Sequence, residues 1–590
     1  MLQAIESINY PVAKRTRLNN PVIVKPEDKT EDYISATEFE NFCENDLISD
    51  WFSVISKKIV LETPEHNNTL KFLFEKGLKH EDNIINKIRE LTELPLEKYT
   101  SVKTSREYDL VNKSIEKDDY AKVLYSIKNG DPIIYSGYIC DKKEKLRGIP
   151  DLLVRNDYIH KIFPDLDNTI KENFDTYNQE YKVDYHYVPV EIKFSTVELS
   201  SGNKYILNKG RMKIYKTQLY VYSKILQEIQ GIFPRYTFII GKRTITHDNK
   251  IKDSIKHPGT IDYYNFDNEY VKIFMNGVKW LKDVKKNGLN WSFDDIYKKG
   301  IFPNMKSNNT LYLKDKKELS KKYGEITDLW RCSTFHRNKA LEHGIYSWKD
   351  ERFNSDIAGM SKNYKKSLEN ILKVNREDFD YFPLSFSSKE FRKVENEMYI
   401  DFELLRDSFD TESIGDIEYI FLIGVRYKGE YKSFIMDFLD ISEEKRVIEE
   451  FYNYILDNGN PKCWYWCAEV KFWNKAISRH LKDSDDPEKY KNINWSDLYE
   501  VYTKEEFAVK GSMNFKLKSY IKNLVKLNKI YVDLPPENCS DGLEAMTIAW
   551  NYYTTKNNNI LTQDMIDVIY YNSLDCQYVE ELLTFARNNL

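Results

Sequence analysis

Glu191 and Lys193 stand two apart in Tyr187-Val188-Pro189-Val190-Glu191-Ile192-Lys193-Phe194. The β-branched and aromatic content of this stretch predicts a strand. Pro189 falls near its start, where a missing N–H is tolerated. A period of two puts Glu191 and Lys193 on one face and turns Ile192 to the other. Burying charges in an apolar setting costs free energy, and a divalent metal supplies a reason to do so. Asp151 follows Gly148-Ile149-Pro150 and precedes Leu152-Leu153-Val154, the edge of another strand. Carboxylates on adjacent strands can hold Mg²⁺ through oxygen and leave places for water and phosphate. Lys193 can then orient or help deprotonate the attacking water and stabilise charge building on phosphorus.

Three features lie around this pair. The pattern over 70–88 predicts a helix with Leu70, Leu73, Phe74, Gly77, Ile84, Ile85 and Ile88 on one stripe, and His80 and Glu81 occupy a turn of it. Either residue, facing inward, offers a third metal ligand. Gln218 and Tyr222 are four apart on the next helix and share a face. Residues 201–260 carry 12 Lys and Arg against 3 Asp and Glu, with Arg211, Lys213, Lys216, Arg235, Lys242 and Arg243 as the candidate phosphate contacts.

A second acidic group lies far downstream. Met398-Tyr399-Ile400-Asp401-Phe402-Glu403-Leu404 reads as a strand with Asp401 and Glu403 on one face, where they repel unless a cation sits between them. Tyr571 and Asp575 are four apart on a helix whose inward stripe continues to Val579 and Leu582, which puts Asp575 on the buried side. Three such acids can hold two metals. Residues 391–420 hold 3 basic and 9 acidic side chains, a setting suited to cations.

The order Gly77-x-x-His80-Glu81, Gly148-Ile149-Pro150-Asp151, Glu191-Ile192-Lys193 and Gln218-x-x-x-Tyr222 resembles the RecB-like PD-(D/E)XK nucleases, with the closest likeness to CRISPR-associated RecB-type and phage-type exonucleases. Ile34-Ser35-Ala36-Thr37-Glu38-Phe39 also resembles the opening of such domains, so the likeness covers 33–245. It implies metal-dependent cleavage of DNA, with His80, Asp151 and Glu191 as ligands, Lys193 as the catalytic lysine, and Gln218 and Tyr222 steadying the site. Some CRISPR-associated members hold an iron–sulfur cluster through clustered Cys. Here Cys140 is followed next by Cys332, and no cluster is expected. Residues 395–590 resemble the DEDD exonucleases of ribonuclease H-like fold, through Asp401-x-Glu403 and Tyr571-x-x-x-Asp575. The middle acid of that family falls on either Glu469 or Asp497. The two halves in this order resemble a RecB-type nuclease fused to a ribonuclease H-like domain, and the composition resembles that of a giant-virus member. Leu329-Trp330-Arg331 through Gly344-Ile345-Tyr346-Ser347-Trp348 resembles a degenerate helix–hairpin–helix linker.

The elements that must position these residues are those of an α/β protein. The expected domains are a flexible arm over 1–32, a restriction-endonuclease-like domain over 33–260, a helical connecting region over 261–390, and a ribonuclease H-like domain over 391–590. Residues 161–184 read as a polar insertion loop. The 590 residues, 31% of them charged and 41% hydrophobic, exclude a wholly disordered chain. No uncharged apolar run reaches spanning length, and Met1–Arg17 lacks the apolar core of a secretory signal. Seven Cys suit a reducing compartment, so the expected location is intracellular, in cytoplasm or a viral factory. Lys14-Arg15-Thr16-Arg17 leaves the nucleus open. The functional expectation is a Mg²⁺- or Mn²⁺-dependent deoxyribonuclease, working as an exonuclease on single- or double-stranded DNA. Its N-terminal site is catalytic, and the C-terminal domain is a second nuclease or a substrate-handling module. A homodimer, action on RNA, and a non-catalytic nucleic-acid-binding scaffold stay open as alternatives.

Overall fold

The computed structural model describes residues 33–56, 68–99, 113–181, 184–309, 311–406, 409–411, 413, 415, 417–481, 486, 488–536, 539–555 and 561–589. The expected arm over 1–32 lies outside the described residues. The rest is mixed α/β and divides into two compact units. The first takes its described residues from 33–322, without the opening turns of the helix Asn68–Thr92 (α1). The second takes those turns, as far as Phe74, together with 323–589.

The first unit contains a three-stranded sheet of Ile34–Ser35, Leu146–Gly148 and Ile139–Asp141 and a larger mixed sheet with helices on both faces. The strands of the larger sheet are Ile133–Tyr135 (β1), Leu152–Arg155 (β2), Tyr187–Glu198 (β3), Tyr236–Ile245 (β4), Ile251–Lys252 (β5) and Gly259–Asp262 (β6). The order is β1-β2-β3-β4-β5, with β6 also paired to β4. β1, β2 and β3 run antiparallel, and β3 and β4 run parallel. Parallel neighbours need a crossover. The helix Met212–Gln230 (α2) provides it and ends at Gly231, whose φ of 78° is the left-handed stop that a glycine makes cheaply. Alternation along β3 divides the core. Val188, Val190 and Ile192 pack with Ile84, Ile85 and Ile88 of α1, whereas Tyr187 and Val197 pack with Leu219 and Tyr222 of α2.

Two expectations change here. The stretch 161–184 is not a loop: Asn168–Tyr181 is a helix, and Ile170 and Phe174, one turn apart, are buried by it. The boundary at 260 cuts through β6, and the helix Glu269–Asn287 (α3) buries Tyr270 and Leu281 in the same core as α2. The expected connecting region is therefore divided between the two units instead of standing apart.

The second unit contains a five-stranded sheet: Glu397–Arg406 (β7), Glu418–Tyr427 (β8), Glu430–Ile435 (β9), Lys462–Tyr465 (β10) and Asn494–Asp497 (β11). The order is β9-β8-β7-β10-β11, antiparallel from β9 to β7 and parallel from β7 to β11. The helices Ile441–Asp457 (α4) and Glu469–His480 (α5) cover the face that carries Ile400 and Phe402. Leu517–Lys526 (α6), Gly542–Thr554 (α7) and Gln563–Arg587 (α8) follow. Leu574, Tyr578, Val579 and Leu582 of α8 join a core with Tyr399, Trp464 and the stretch from Ile326 to Phe391. Phe72, at the start of α1, packs edge-on against Phe409 at 5.1 Å. Within 329–348 there is one helix, Thr334–Glu342, so the helix–hairpin–helix pattern is not formed there.

Candidate functional sites

In the first unit, Asp151 sits one residue before β2, beside Glu191 on β3. The Asp151 N–H donates to Glu191 Oε1 at 3.2 Å, and Asp151 Oδ2 accepts from the Ile192 N–H at 2.7 Å. Glu191 is buried, and its Oε2 forms an ion pair with Lys193 Nζ. Burial and then the Glu191 charge hold the Asp151 carboxyl well above the usual carboxylate range. Burial alone lowers the pKa of a lysine, but Glu191 and Asp151 together keep Lys193 above its ordinary value. Gln218 Nε2 donates to Tyr222 Oη at 2.7 Å and to Glu191 Oε2 at 3.4 Å, and the Tyr222 hydroxyl donates to the Ile149 carbonyl at 3.3 Å. The five residues Asp151, Glu191, Lys193, Gln218 and Tyr222 therefore meet at one place. Gly148 makes the approach possible. A Cβ there would lie 2.2 Å from the Tyr222 ring.

His80 does not join them. Its ring packs at 5.5 Å on Phe194, and His80, Asp151 and Glu191 do not bring ligand atoms within 4.8 Å of one another. Burial pushes the imidazole down to about 4, so it is neutral at pH 7. The acid whose charge reaches Asp151 from α1 is Glu81, which accepts from the Tyr135 hydroxyl at 2.7 Å and pairs with Lys98 at 3.1 Å.

Most of the expected phosphate contacts in the basic segment are held by internal partners or buried. Lys216 is fully buried in an ion pair with Asp267 at 2.5 Å and donates to the Ile206 carbonyl at 2.7 Å. It holds α2 to the loop before α3 and is no phosphate contact. Arg235 is bound to buried Asp262 at 3.2 Å. Lys242 and Arg243 are buried, Arg243 donating to Thr196 Oγ1 at 2.9 Å. Arg211 pairs with Glu40 at 2.7 Å, which leaves half-exposed Lys213 as the member of the set nearest to the expectation.

The second unit carries a tighter cluster. Asp401 and Glu403 project from one face of β7, and α8 brings Asp575 onto them. One carboxylate oxygen from each of the three lies within 4.8 Å of the others, the single group of this kind among the described residues. A register shift after Glu403, where β7 meets β8, marks a bulge at the site. Burial comes first, then the neighbouring acids: Asp401 is held well above its ordinary range, and Glu403 is pushed up to about 8. Asp575 Oδ1 is buried without a hydrogen-bond partner, while Oδ2 lies 3.3 Å from Lys518 Nζ. Lys518 also contacts the Tyr571 hydroxyl. Lys518, from the first turn of α6, was not foreseen, since nothing in the sequence around it ties it to residues on α8.

Asn572 and Gly424 were not foreseen either. Asn572 is fully buried. Its Nδ2 donates to Asp401 Oδ2 at 2.8 Å and to the Asp401 carbonyl at 3.3 Å, and its Oδ1 accepts from the Tyr431 hydroxyl at 2.9 Å. Gly424 faces Asp401 across the β7–β8 ladder, and a Cβ on it would lie 1.7 Å from Asn572 Oδ1. Gly424→Ala therefore displaces Asn572 and frees Asp401 to swing. We expect the urea midpoint to fall with a loss of about 1–3 kcal/mol, the scale of core overpacking, and metal binding at the cluster to weaken with it.

Of the two candidates for the middle acid, Asp497 is occupied. It caps the helix Leu498–Lys504 by accepting from the Glu500 N–H at 3.2 Å, and it accepts from the Cys467 N–H at 3.1 Å. Glu469, at the start of α5, adds its charge to Asp401 and is itself raised to about 8, by burial first. The turn that presents it passes through Cys467 at φ 84°, a left-handed conformation that costs a non-glycine residue about 1–3 kcal/mol.

Comparison with protein-family models and with curated proteins finds no match. Among the described residues, no helix is long and apolar enough to cross a membrane.

Proposed function

We propose that this chain is a nuclease dependent on Mg²⁺ or Mn²⁺ that hydrolyses phosphodiester bonds of DNA. Its first unit is read as restriction-endonuclease-like and its second as ribonuclease H-like. The observation that carries the reading is the close-set Asp401–Glu403–Asp575 cluster, its Glu403 and Asp575 buried and its Asp575 Oδ1 unpartnered. Three carboxylates this close repel when ionised, and an oxygen-only donor set suits a hard divalent cation. The strand order β9-β8-β7-β10-β11, with the D-x-E on the central strand, supports the second fold assignment. The antiparallel β1–β3 followed by a helical crossover to β4 supports the first.

Asp401, Glu403 and Asp575 would hold the metal, with Glu469 beside them, and a bound divalent ion supplies a water of lowered pKa and neutralises charge on the phosphoryl oxygens. The chain's own groups do the rest. Tyr571, raised by burial and by Asp575, keeps its proton and acts as a hydrogen-bond donor. Lys518 balances Asp575 and reaches the same hydroxyl. In the first unit, Asp151 and Glu191 offer oxygens of the same kind. Lys193, held charged, serves to stabilise negative charge on phosphorus and does not take a proton.

The test is hydrolysis of end-labelled single- and double-stranded DNA, with matched RNA in parallel, in Mg²⁺ or Mn²⁺ and in chelator. Shortening that requires metal and prefers DNA is the expected result. Preference for RNA would change the substrate, and binding without any metal-stimulated turnover would leave a scaffold.

A further inference from the structure

Arg331 is an exposed cation with an unusual setting. It follows the half-buried Trp330 and adopts φ 56°, a left-handed conformation that a side chain larger than glycine enters at a cost. Its guanidinium lies 4.2 Å from the Tyr364 ring centroid and 5.1 Å from that of Trp330. The two rings meet edge-on at 5.2 Å. Among the described residues no carboxylate pairs with Arg331 and no acceptor binds it. A planar cation laid on two rings has lost most of its side-chain freedom before any ligand arrives, with its N–H donors still unspent.

This shelf is tied to the acidic cluster by α6. Trp330 packs at 4.6 Å on Phe515. The next residue, Lys516, is exposed and has no ion-pair partner among the described residues. Two residues further on, Lys518 reaches Asp575. The same shelf borders Tyr499, whose ring packs at 5.7 Å on Trp466, just before the Cys467 turn that presents Glu469. Arg331 is thus joined through Trp330 and Phe515 to the start of α6, whose Lys518 reaches the carboxylates.

We propose that Arg331 is a phosphate anchor for a nucleic-acid strand whose scissile bond lies at the Asp401–Glu403–Asp575 cluster. The inference rests on the nuclease reading of that cluster, and it adds the residue that positions the strand. The aromatic shelf fixes the fork of the guanidinium toward a phosphodiester oxygen, and the missing carboxylate leaves the charge for that use.

The experiment is equilibrium binding of a fluorescent single-stranded DNA to the full chain in chelator, at salt concentrations between about 50 and 200 mM. Metal-dependent hydrolysis of the same strand is measured alongside. Arg331→Gln is expected to weaken binding about fivefold at the low-salt end and to reduce the slope of log K against log salt by about 0.7, the contribution of one phosphate on a single strand. KM should rise with kcat little changed. Arg331→Lys keeps the charge and loses the planar stack, so it should keep the salt slope and bind less tightly than wild type. That variant decides the matter if Arg331→Gln proves unstable. Unchanged affinity and slope in these variants, with wild type active, overturn the anchor and leave the nuclease reading standing. Wild type that binds with the Arg331 contribution but never hydrolyses keeps the anchor and removes the nuclease reading. Wild type that neither binds nor hydrolyses the strand removes both.

Discussion

Replacing Asp401 with asparagine lowers metal-dependent hydrolysis by about a thousandfold or more, the scale on which essential catalytic groups act. The same substitution raises the melting temperature of the protein in chelator. Asp401 lies close to Glu403 and Asp575, with Glu469 adding its charge, and burial together with those neighbours opposes its ionisation. An asparagine removes one charge from the crowd and can still accept from Asn572 Nδ2 through its own oxygen. The gain should be a few degrees, at about 2–4 °C per kcal/mol for a unit of this size. Added Mg²⁺ should then stabilise wild type and not the variant, because ligand binding to the folded state raises stability by mass action. A variant that keeps full activity removes this cluster from the chemistry. Asp151→Asn, measured in parallel, apportions the work. Loss with that variant alone would make the first unit the enzyme. Residual activity that disappears only when both are changed would mean two working sites.

Metal-free protein should lose stability as pH rises, and metal should reverse the trend. Glu403 and Glu469 both stand near 8 in the folded chain, each raised mainly by burial, against 4.5 for an ordinary glutamate. Between those values the folded state binds more protons than the unfolded one, so the slope of unfolding free energy with pH is negative. Stability is fully present below about pH 4.5 as far as these two groups are concerned, and it is lost as pH climbs through 8. Lys518 and Asn572 face the same cluster and moderate the effect without changing its sign. A divalent cation must displace those protons, so its affinity should climb over the same range. Melting curves in chelator and in Mn²⁺, taken from pH 5 to pH 9 (conditions on the order of these), should diverge as pH rises. Parallel curves would mean that the acids do not share a cation.

Local periodicity made much of both sites legible. Asp401 and Glu403 share a face because strands alternate, and Gln218 with Tyr222, or Tyr571 with Asp575, share one because helices repeat every 3.6 residues. Lys518, Asn572 and Gly424 were not legible because their roles exist only across elements: Gly424 matters through a side chain on α8, and Lys518 through one on the same helix. His80 failed for a related reason. Its place on α1 was readable, but which face of the sheet α1 covers was not. The basic segment misled because charge was counted along the chain. The partners Asp262 and Asp267 lie just beyond residue 260, and they turn two expected phosphate contacts into internal ties. The stretch 161–184 looked like a loop because it is polar, yet Ile170 and Phe174 one turn apart are enough to seat a helix.

The opening turns of α1 belong to a core made mostly of sequence that is synthesised much later. Phe72 packs on Phe409, so during translation it waits on the order of half a minute for its partner, at about 5–20 residues per second. The first unit can complete its sheet in that interval, while the second cannot close its core. A fragment beginning at Tyr323 therefore lacks Phe72 and has a gap beside Phe409. Dividing this chain into separately expressed halves calls for supplying residues 68–74 to the downstream half.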